Sequence, residues 1–157
     1  MTTGPHGARP GERSDDRTSG DAHDEARQSM VAERRTMPST RNSITHKFSL
    51  SGHEGYLTIG LDETGMPGEI FIKMSKEGST LSGMCQAFCR AFSLALQYGL
   101  PLEDAVIRFR GMRFEPMGVT SNPDVAEASS IVDYVARYLD VLFLQQGAAT
   151  PTGRPAL

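Results

Sequence analysis

The residues of this chain with chemistry to offer are few and lie close together. In "KEGSTLSGMCQAFCRAFSLALQYGLPLEDAV", residues 76–106, a Gly/Ser/Thr turn runs into an apolar segment that carries the only two cysteines, Cys85 and Cys89. Three chemistries compete for this stretch. The turn could cradle a phosphate, the thiols could bind a metal or cycle between redox states, or the run could be a core helix with a well-made start.

A structural zinc site needs about four ligands, and beyond the cysteines the chain offers only His6, His23, His46 and His53, at spacings that match no zinc motif. No metal site is expected. Cys85 falls within an apolar stripe and Cys89 at its margin, the place of small hydrophobes packing on a neighbour. Two thiols four apart on a helix are also badly placed for a strain-free disulfide, which requires converging Cβ vectors. The turn has more to offer, because a strand, a Gly/Ser turn and a helix start together direct free N–H groups and the positive end of the helix dipole outward. Its candidate phosphate- or nucleotide-binding residues are Lys73, Lys76, Gly78, Ser79, Thr80 and Ser82. It is neither a Walker loop nor a dinucleotide fingerprint, and an ordinary N-cap accounts for the same residues. No catalytic triad or general acid/base pair can be assembled. Arg113 and Glu115 in "MRFEPMG" read as a loop anchor in which the two side chains can pair.

These residues need elements to hold them. Period-two alternation runs through "ITHKFSL", with Ile44, His46, Phe48 and Leu50 on one side, and through "YLTIGLD", with Leu57, Ile59 and Leu61. After the "ETGMPG" turn, "EIFIKMS" sends Ile70, Ile72 and Met74 to one face and Phe71 and Lys73 to the other. Three antiparallel strands with one apolar face follow. A helix from Thr80 to Tyr98, capped by Ser79 or Thr80 and stopped by Gly99 and Pro101, covers that face. Its expected inward stripe is Leu81, Met84, Cys85, Phe88, Phe92, Ala95 and Leu96, with Ser82, Gln86, Arg90, Ser93 and Gln97 pointing away. A short helix spans Leu102–Phe109. A last helix starts at Asn122–Pro123 or at an Asp124/Glu127 capping box, with Asp133 and Arg137 paired on its outer side. The fold class is α+β.

Composition sets the boundaries. Residues 1–42 hold almost no aliphatic side chains, and residues 145–157 are similar, so both read as disordered flanks of a domain spanning 43–144. Met30 and Met37 are alternative starts to Met1. The net charge of -3 is small, and the N-terminal arm balances seven Arg against seven Asp and Glu, which argues against nucleic acid as a partner. Neither a membrane span nor a secretory signal is visible, so the expected location is the cytoplasm. Tyr56 and Phe71 with Lys47 and Lys73 on the polar sheet face suit a protein interface better than base stacking. Pairing of two copies through their sheets is left open.

At this point the blocks "RRTMPSTRNSITHKF", "GHEGYLTIGL", "PGEIFIKMSKEGSTLSG", "SLALQYGLPLEDAV", "RFEPMGVTSNPD" and "SIVDYVARYL" resemble, in the same order, the C-terminal TSCPD region of adenosylcobalamin-dependent (class II) ribonucleotide reductases. The similarity covers residues 34–144. It implies kinship with a large catalytic barrel that binds ribonucleotide and cobalamin, generates a thiyl radical and is reduced by a cysteine pair. None of that apparatus fits in a chain this size, and the short cysteine motif of other members is replaced by "GSTLSG". The resemblance therefore implies an accessory module of a ribonucleoside-diphosphate reductase in deoxyribonucleotide synthesis. Its partner would be a separately encoded catalytic chain, and adenosylcobalamin would be bound there and not here. The alternative is a free-standing module for a nucleotide or for single-stranded nucleic acid.

Overall fold

Alternating apolar residues in three consecutive segments form the sheet that the pattern predicts. In the computed structural model, which describes Met1, Gly4 and residues 32–145, the chain divides into units Met1–Ala32 and Glu33–Leu157. The fold is that of the second unit. Strands β1 (Ser43–Leu50), β2 (His53–Leu61) and β3 (Pro67–Met74) pair antiparallel in the order β1-β2-β3. The register places Ile44, Ile59 and Ile70 in one cross-strand row, and His46, Leu57 and Ile72 in the next. In the third row Gly55 lies between Phe48 and Met74. A Cβ on Gly55 would come within 3.0 Å of both the Phe48 ring and the Met74 sulfur. The glycine is the space into which the two large side chains close.

Helix α1 (Thr80–Gln97) lies along β3, and α2 (Leu102–Phe109) follows after Gly99. Phe88 and Phe92 of α1 meet Phe109 of α2 at ring-centroid distances of 5.1 and 5.6 Å, an aromatic trio that fixes the angle between the helices. The inward stripe differs from the expected one. Ser82, Cys85, Cys89, Phe92, Ser93, Leu96 and Gln97 are buried, whereas Met84 is 65% exposed. At 100° per residue this is a rotation of roughly 80° from the purely apolar stripe. Its cause is the sheet edge described below.

The last helix also differs. Asn122 does cap a turn, through Oδ1 accepting from the Asp124 N–H at 3.0 Å, but that turn is a short 3-10 segment, Pro123–Val125. The chain then extends, pairing β5 (Glu127–Ala128) with β4 (Gly118–Val119). Helix α3 (Ile131–Leu139) begins only after Ser130, whose Oγ accepts from the Asp133 N–H at 3.0 Å and donates to the Met112 carbonyl at 2.7 Å. Asp133, expected on the outer side, has no exposed surface. It does pair with Arg137 at 3.0 Å, and it accepts from the Ser129 and Gly111 N–H groups as well. Burial opposes ionisation of this carboxyl, but the two backbone donors and the guanidinium outweigh it and hold its pKa below the ordinary value. Arg113 and Glu115 form no ion pair: Arg113 is directed at the Met117 sulfur.

The domain starts earlier than composition suggests. Residues 33–42, read from sequence as part of a disordered arm, form a strap fastened to β2, β3 and α1. The Arg35 N–H bonds to the Gln97 carbonyl at 2.9 Å, and the Leu61 N–H to the Asn42 carbonyl at 2.9 Å. Arg41 forms an ion pair with Glu69. A Cβ on Gly60 would meet the Glu69 carboxylate at 2.5 Å, and one on Gly68 would meet the Met37 sulfur at 2.2 Å. Both strand glycines make room for the strap and its anchor. The expected disorder of residues 1–31 and 146–157 lies outside the described residues, apart from Met1 and Gly4.

A polar cluster joins α3 to β1. Because Asn122 Oδ1 is taken by the Asp124 N–H, its Nδ2 donates to Tyr134 Oη at 3.2 Å, and Tyr134 Oη shares a hydrogen bond of 2.8 Å with His46 Nε2. His46 also stacks on Tyr138 at 4.3 Å. Burial lowers the pKa of His46 from 6.5, and when the neutral ring carries its proton on Nδ1 the Tyr134 hydroxyl can donate to Nε2. The unfolded chain therefore takes up the proton first, and stability rises with pH in that interval. Urea denaturation should show stability falling as pH drops below 6.5 toward the folded pKa, with the slope reduced in His46→Gln, whose amide oxygen can still accept from Tyr134. An unchanged slope would mean that His46 is not the group responsible.

Candidate functional site

The outer edge of β3 would be bare backbone if α1 did not supply polar partners. Gln97 Nε2 donates to the Gly68 carbonyl at 2.9 Å. Ser93 Oγ accepts from the Ile70 N–H at 2.9 Å, donates to the Cys89 carbonyl at 2.7 Å, and lies 3.3 Å from the Ile70 carbonyl. The Ile72 N–H is directed at the Cys89 sulfur. Positions 89, 93 and 97 are successive i, i+4 neighbours on one helix face, so a single ridge of side chains closes the edge. This is why α1 is rotated: leaving the Ile70 N–H and the Gly68 carbonyl both unsatisfied would cost more than leaving the one Met84 side chain in water.

The same ridge settles the behaviour of the thiols. Cys85 and Cys89 are free, and only 5% and 3% exposed. Burial pushes Cys85 up to about 11. Burial, reinforced by Cys85 and only partly offset by the Ile72 N–H, pushes Cys89 up to about 12. Neither is a thiolate at neutral pH, so neither is a ready nucleophile or metal ligand. Among the described residues no three His, Cys, Asp or Glu side chains converge as a metal site.

The six candidate residues of the turn are only partly brought together. Ser79 is the N-cap of α1, its Oγ accepting from the Ser82 N–H at 3.1 Å and donating to the Lys76 carbonyl at 3.0 Å. Gly78 takes φ +72, the left-handed conformation that suits a residue without Cβ. Ser82 is buried, its hydroxyl facing Gln86 at 3.4 Å. Lys73 is paired with Glu77 at 3.0 Å, on the exposed surface. Among the described residues no acceptor is found for the Thr80 and Leu81 N–H groups in the first turn of α1, and Lys76, four residues before Thr80, is exposed.

On the outer sheet face Tyr56 lies in register between Lys47 and Lys73, and Phe71 lies opposite Thr58. Tyr56 is 46% and Phe71 52% exposed. Every cation on this face has a carboxylate: Lys47 is 3.6 Å from Glu54, Lys73 pairs with Glu77, and Arg41 with Glu69. Beside it, where β3 meets α1, a groove of about 480 Å³ opens over the closed edge. Arg34, Phe71, Gln86, Arg90, Leu94 and Gln97 line it, together with Glu69, which is held by Arg41. Sequence reasoning missed this groove, because it identified neither the strap that brings Arg34 nor the rotation that turns Gln97 inward.

A family model described as the TSCPD domain matches residues 27–143. The chain belongs to the TSCPD domain family. Its relatives include the vitamin B12-dependent ribonucleotide reductase of Rhodopirellula baltica, 47% identical over 150 residues that make up 92% of this chain and 14% of that protein. The reductase of the same name from Streptantibioticus cattleyicolor is 51% identical over 111 residues, 71% of this chain and 18% of that one. That of Bradyrhizobium diazoefficiens is 43% identical over 118 residues, 74% of this chain and 9% of that one. This TSCPD chain thus spans less than a fifth of the length of these relatives. No solved structure matches it significantly.

The edge closure of the TSCPD domain is testable by Ser93→Ala, which strands the buried Ile70 N–H and should lower unfolding free energy by about 1–3 kcal/mol. Arg90→Ala, exposed on the same helix, should change it by about 0.5 kcal/mol or less. Equal effects in urea denaturation would show that Ser93 does not close the edge.

Proposed function

We propose that this chain is an accessory module of a cobalamin-dependent ribonucleoside-diphosphate reductase, docking on a separately encoded catalytic chain in the cytoplasm and supporting deoxyribonucleotide synthesis for DNA replication. The observation that carries the reading is the match itself. The described domain aligns with reductases at 43–51% identity while spanning only 9–18% of their length. The buried, high-pKa thiols support a role outside the redox chemistry, since they cannot serve as an exposed reducing pair. Adenosylcobalamin belongs, on this reading, to the catalytic chain, where it supplies the radical. The 480 Å³ groove lies low in the range of sites for drug-sized ligands, too small for a corrin ring with its nucleotide tail. No described helix is long and apolar enough to cross a membrane.

A second reading is favoured by one feature, the Thr80 and Leu81 N–H groups with no acceptor among the described residues, which together with Lys76 could hold the phosphate of a nucleotide. Nucleic acid is disfavoured by the paired cations of the sheet face. One set of experiments separates these readings. The purified chain should co-elute with the catalytic chain of a B12-dependent reductase from the same genome and raise its turnover of ribonucleoside diphosphate severalfold. Absence of both effects removes the module reading. Titration of the chain alone with deoxynucleoside triphosphates, followed by amide shifts at residues 80–83, tests the second reading, and shifts confined elsewhere remove it.

A further inference from the structure

We propose that the groove between β3 and α1 is a docking site for an extended, acidic segment of a protein partner. The inference deepens the docking reading above by saying where and by what chemistry the catalytic chain is held.

Charge is the first argument. Along the sheet face the cations Arg41, Lys47 and Lys73 are each neutralised by a carboxylate. In the groove, Arg34 donates to the neutral Gln97 Oε1 at 2.8 Å, and among the described residues neither Arg34 nor Arg90 has a carboxylate partner. Glu69, the acid among the lining residues, is already engaged by Arg41 through two guanidinium nitrogens. On a chain of net charge -3, two guanidinium groups left facing one groove call for carboxylates from outside. Arginine is suited to the task, being weakly hydrated and able to hold a carboxylate bidentately.

Shape is the second argument. The groove follows α1 from Gln86 to Gln97, and eleven helical steps of 1.5 Å give a length of about 16 Å. Extended chain advances about 3.3 Å per residue, so about five residues fit. Arg34 is anchored at Gln97, seven positions after Arg90, so the helix positions from which the two guanidinium groups are held lie about 10 Å apart along the axis. Two carboxylates spaced along an extended segment suit such an arrangement better than one compact anion. Between them Phe71 and Leu94, both exposed, offer apolar contact, and Gln86 offers an amide to the incoming backbone. An aromatic with flanking arginines is the composition that dominates interface energetics. The occupant does not add a strand to β3, because Ser93 and Gln97 already hold that edge.

The test is selection from a random peptide display library against the full chain, with fluorescence anisotropy on the selected peptides. The expected result is enrichment of peptides with two or more Asp or Glu. Binding should weaken about fivefold to tenfold in Arg34→Gln and again in Arg90→Gln. It should fall with added salt, stay unchanged in Arg108→Gln on α2, and be lost when the peptide acids become amides. Arg90 is exposed and makes no side-chain bond among the described residues, so Arg90→Gln should leave the melting temperature unaltered. Arg34→Gln, which keeps an N–H donor for the Gln97 oxygen, is compared at a temperature where circular dichroism shows it folded. Selected peptides without acids, or peptides bound equally well by both arginine variants, would overturn the proposal. So would pyrophosphate or ATP binding through Arg34 and Arg90 with no acidic peptide selected, which would assign the groove to a small anion. If acidic peptides bind as expected but the reductase chain does not, the module reading fails and the groove assignment stands.

Discussion

A three-stranded sheet leaves strand edges whose amide and carbonyl groups must be hydrogen-bonded or left to water, and on β3 this requirement dictates the position of everything packed beside it. The ridge Cys89, Ser93 and Gln97 meets the Gly68, Ile70 and Ile72 backbone groups. That contact fixes the rotation of α1 and the burial of the two cysteines, and it leaves Met84 exposed. Van der Waals packing alone would favour the apolar stripe, because Met84 would then be covered. The outcome shows which effect is larger: each stranded buried amide costs about 1–3 kcal/mol, comparable to the whole gain from burying one methionine.

The edge contact also explains the strap. Gln97 presents its amide nitrogen to β3, so its oxygen and its backbone carbonyl remain to be satisfied, and Arg34 Nε and the Arg35 N–H do so. Residues 33–42 then run past Gly68 and Gly60, where the absence of side chains admits Met37 and the Arg41–Glu69 pair. Substituting either glycine with alanine would drive a Cβ into an occupied site, so the small residues in β2 and β3 are part of the same device. One glutamine thus links sheet, helix and leading segment.

How much of this could be read from the residues depends on what kind of signal each feature leaves. The strands were legible because period-two alternation is a property of each segment alone, and Ile59, Ile70 and Ile72 fall where it puts them. The existence of α1 was legible, and so was Ser79 as one of two candidate caps. Its rotation was not, because a hydrophobic periodicity counts Ser93 and Gln97 as solvent-seeking, whereas a sheet edge makes them the preferred inward residues. The start of α3 was misplaced because Asn122 before Pro123 is a genuine cap signal that here serves a single 3-10 turn, while Ser130 with Asp133 is the cap of the long element. Strands of two residues, such as β4 and β5, are too short to carry any period. The strap was missed because composition measures average burial, and a segment held by Met37, Arg34 and Arg41 alone has a low average. At the turn, the ion pair of Lys73 with Glu77 was not legible, since spacing across a strand end does not say which way two side chains turn.

The closure of β3 bears on how such a domain can associate with a larger enzyme. An open edge strand is a template for a partner's strand, and a domain built that way depends on its neighbour to complete its sheet. Here the edge is completed internally, and the end of β1 is likewise bridged by the chain at Val119–Ser121. The β3 edge therefore offers no template to a foreign strand, and a partner approaching it would meet side chains. Surface side chains around it are of two electrical kinds. On the sheet face, cations and carboxylates cancel within 3–4 Å, and such pairs, seen from beyond a Debye length of about 10 Å, exert little field. In the groove, Arg34 and Arg90 have no carboxylate partner among the described residues. A surface that is neutral and aromatic in one part and cationic in an adjoining cleft suits a partner matched in detail, with acids at a fixed separation beside apolar surface, and suits a uniform polyanion poorly, because phosphate backbones reward the number of free cations more than their placement.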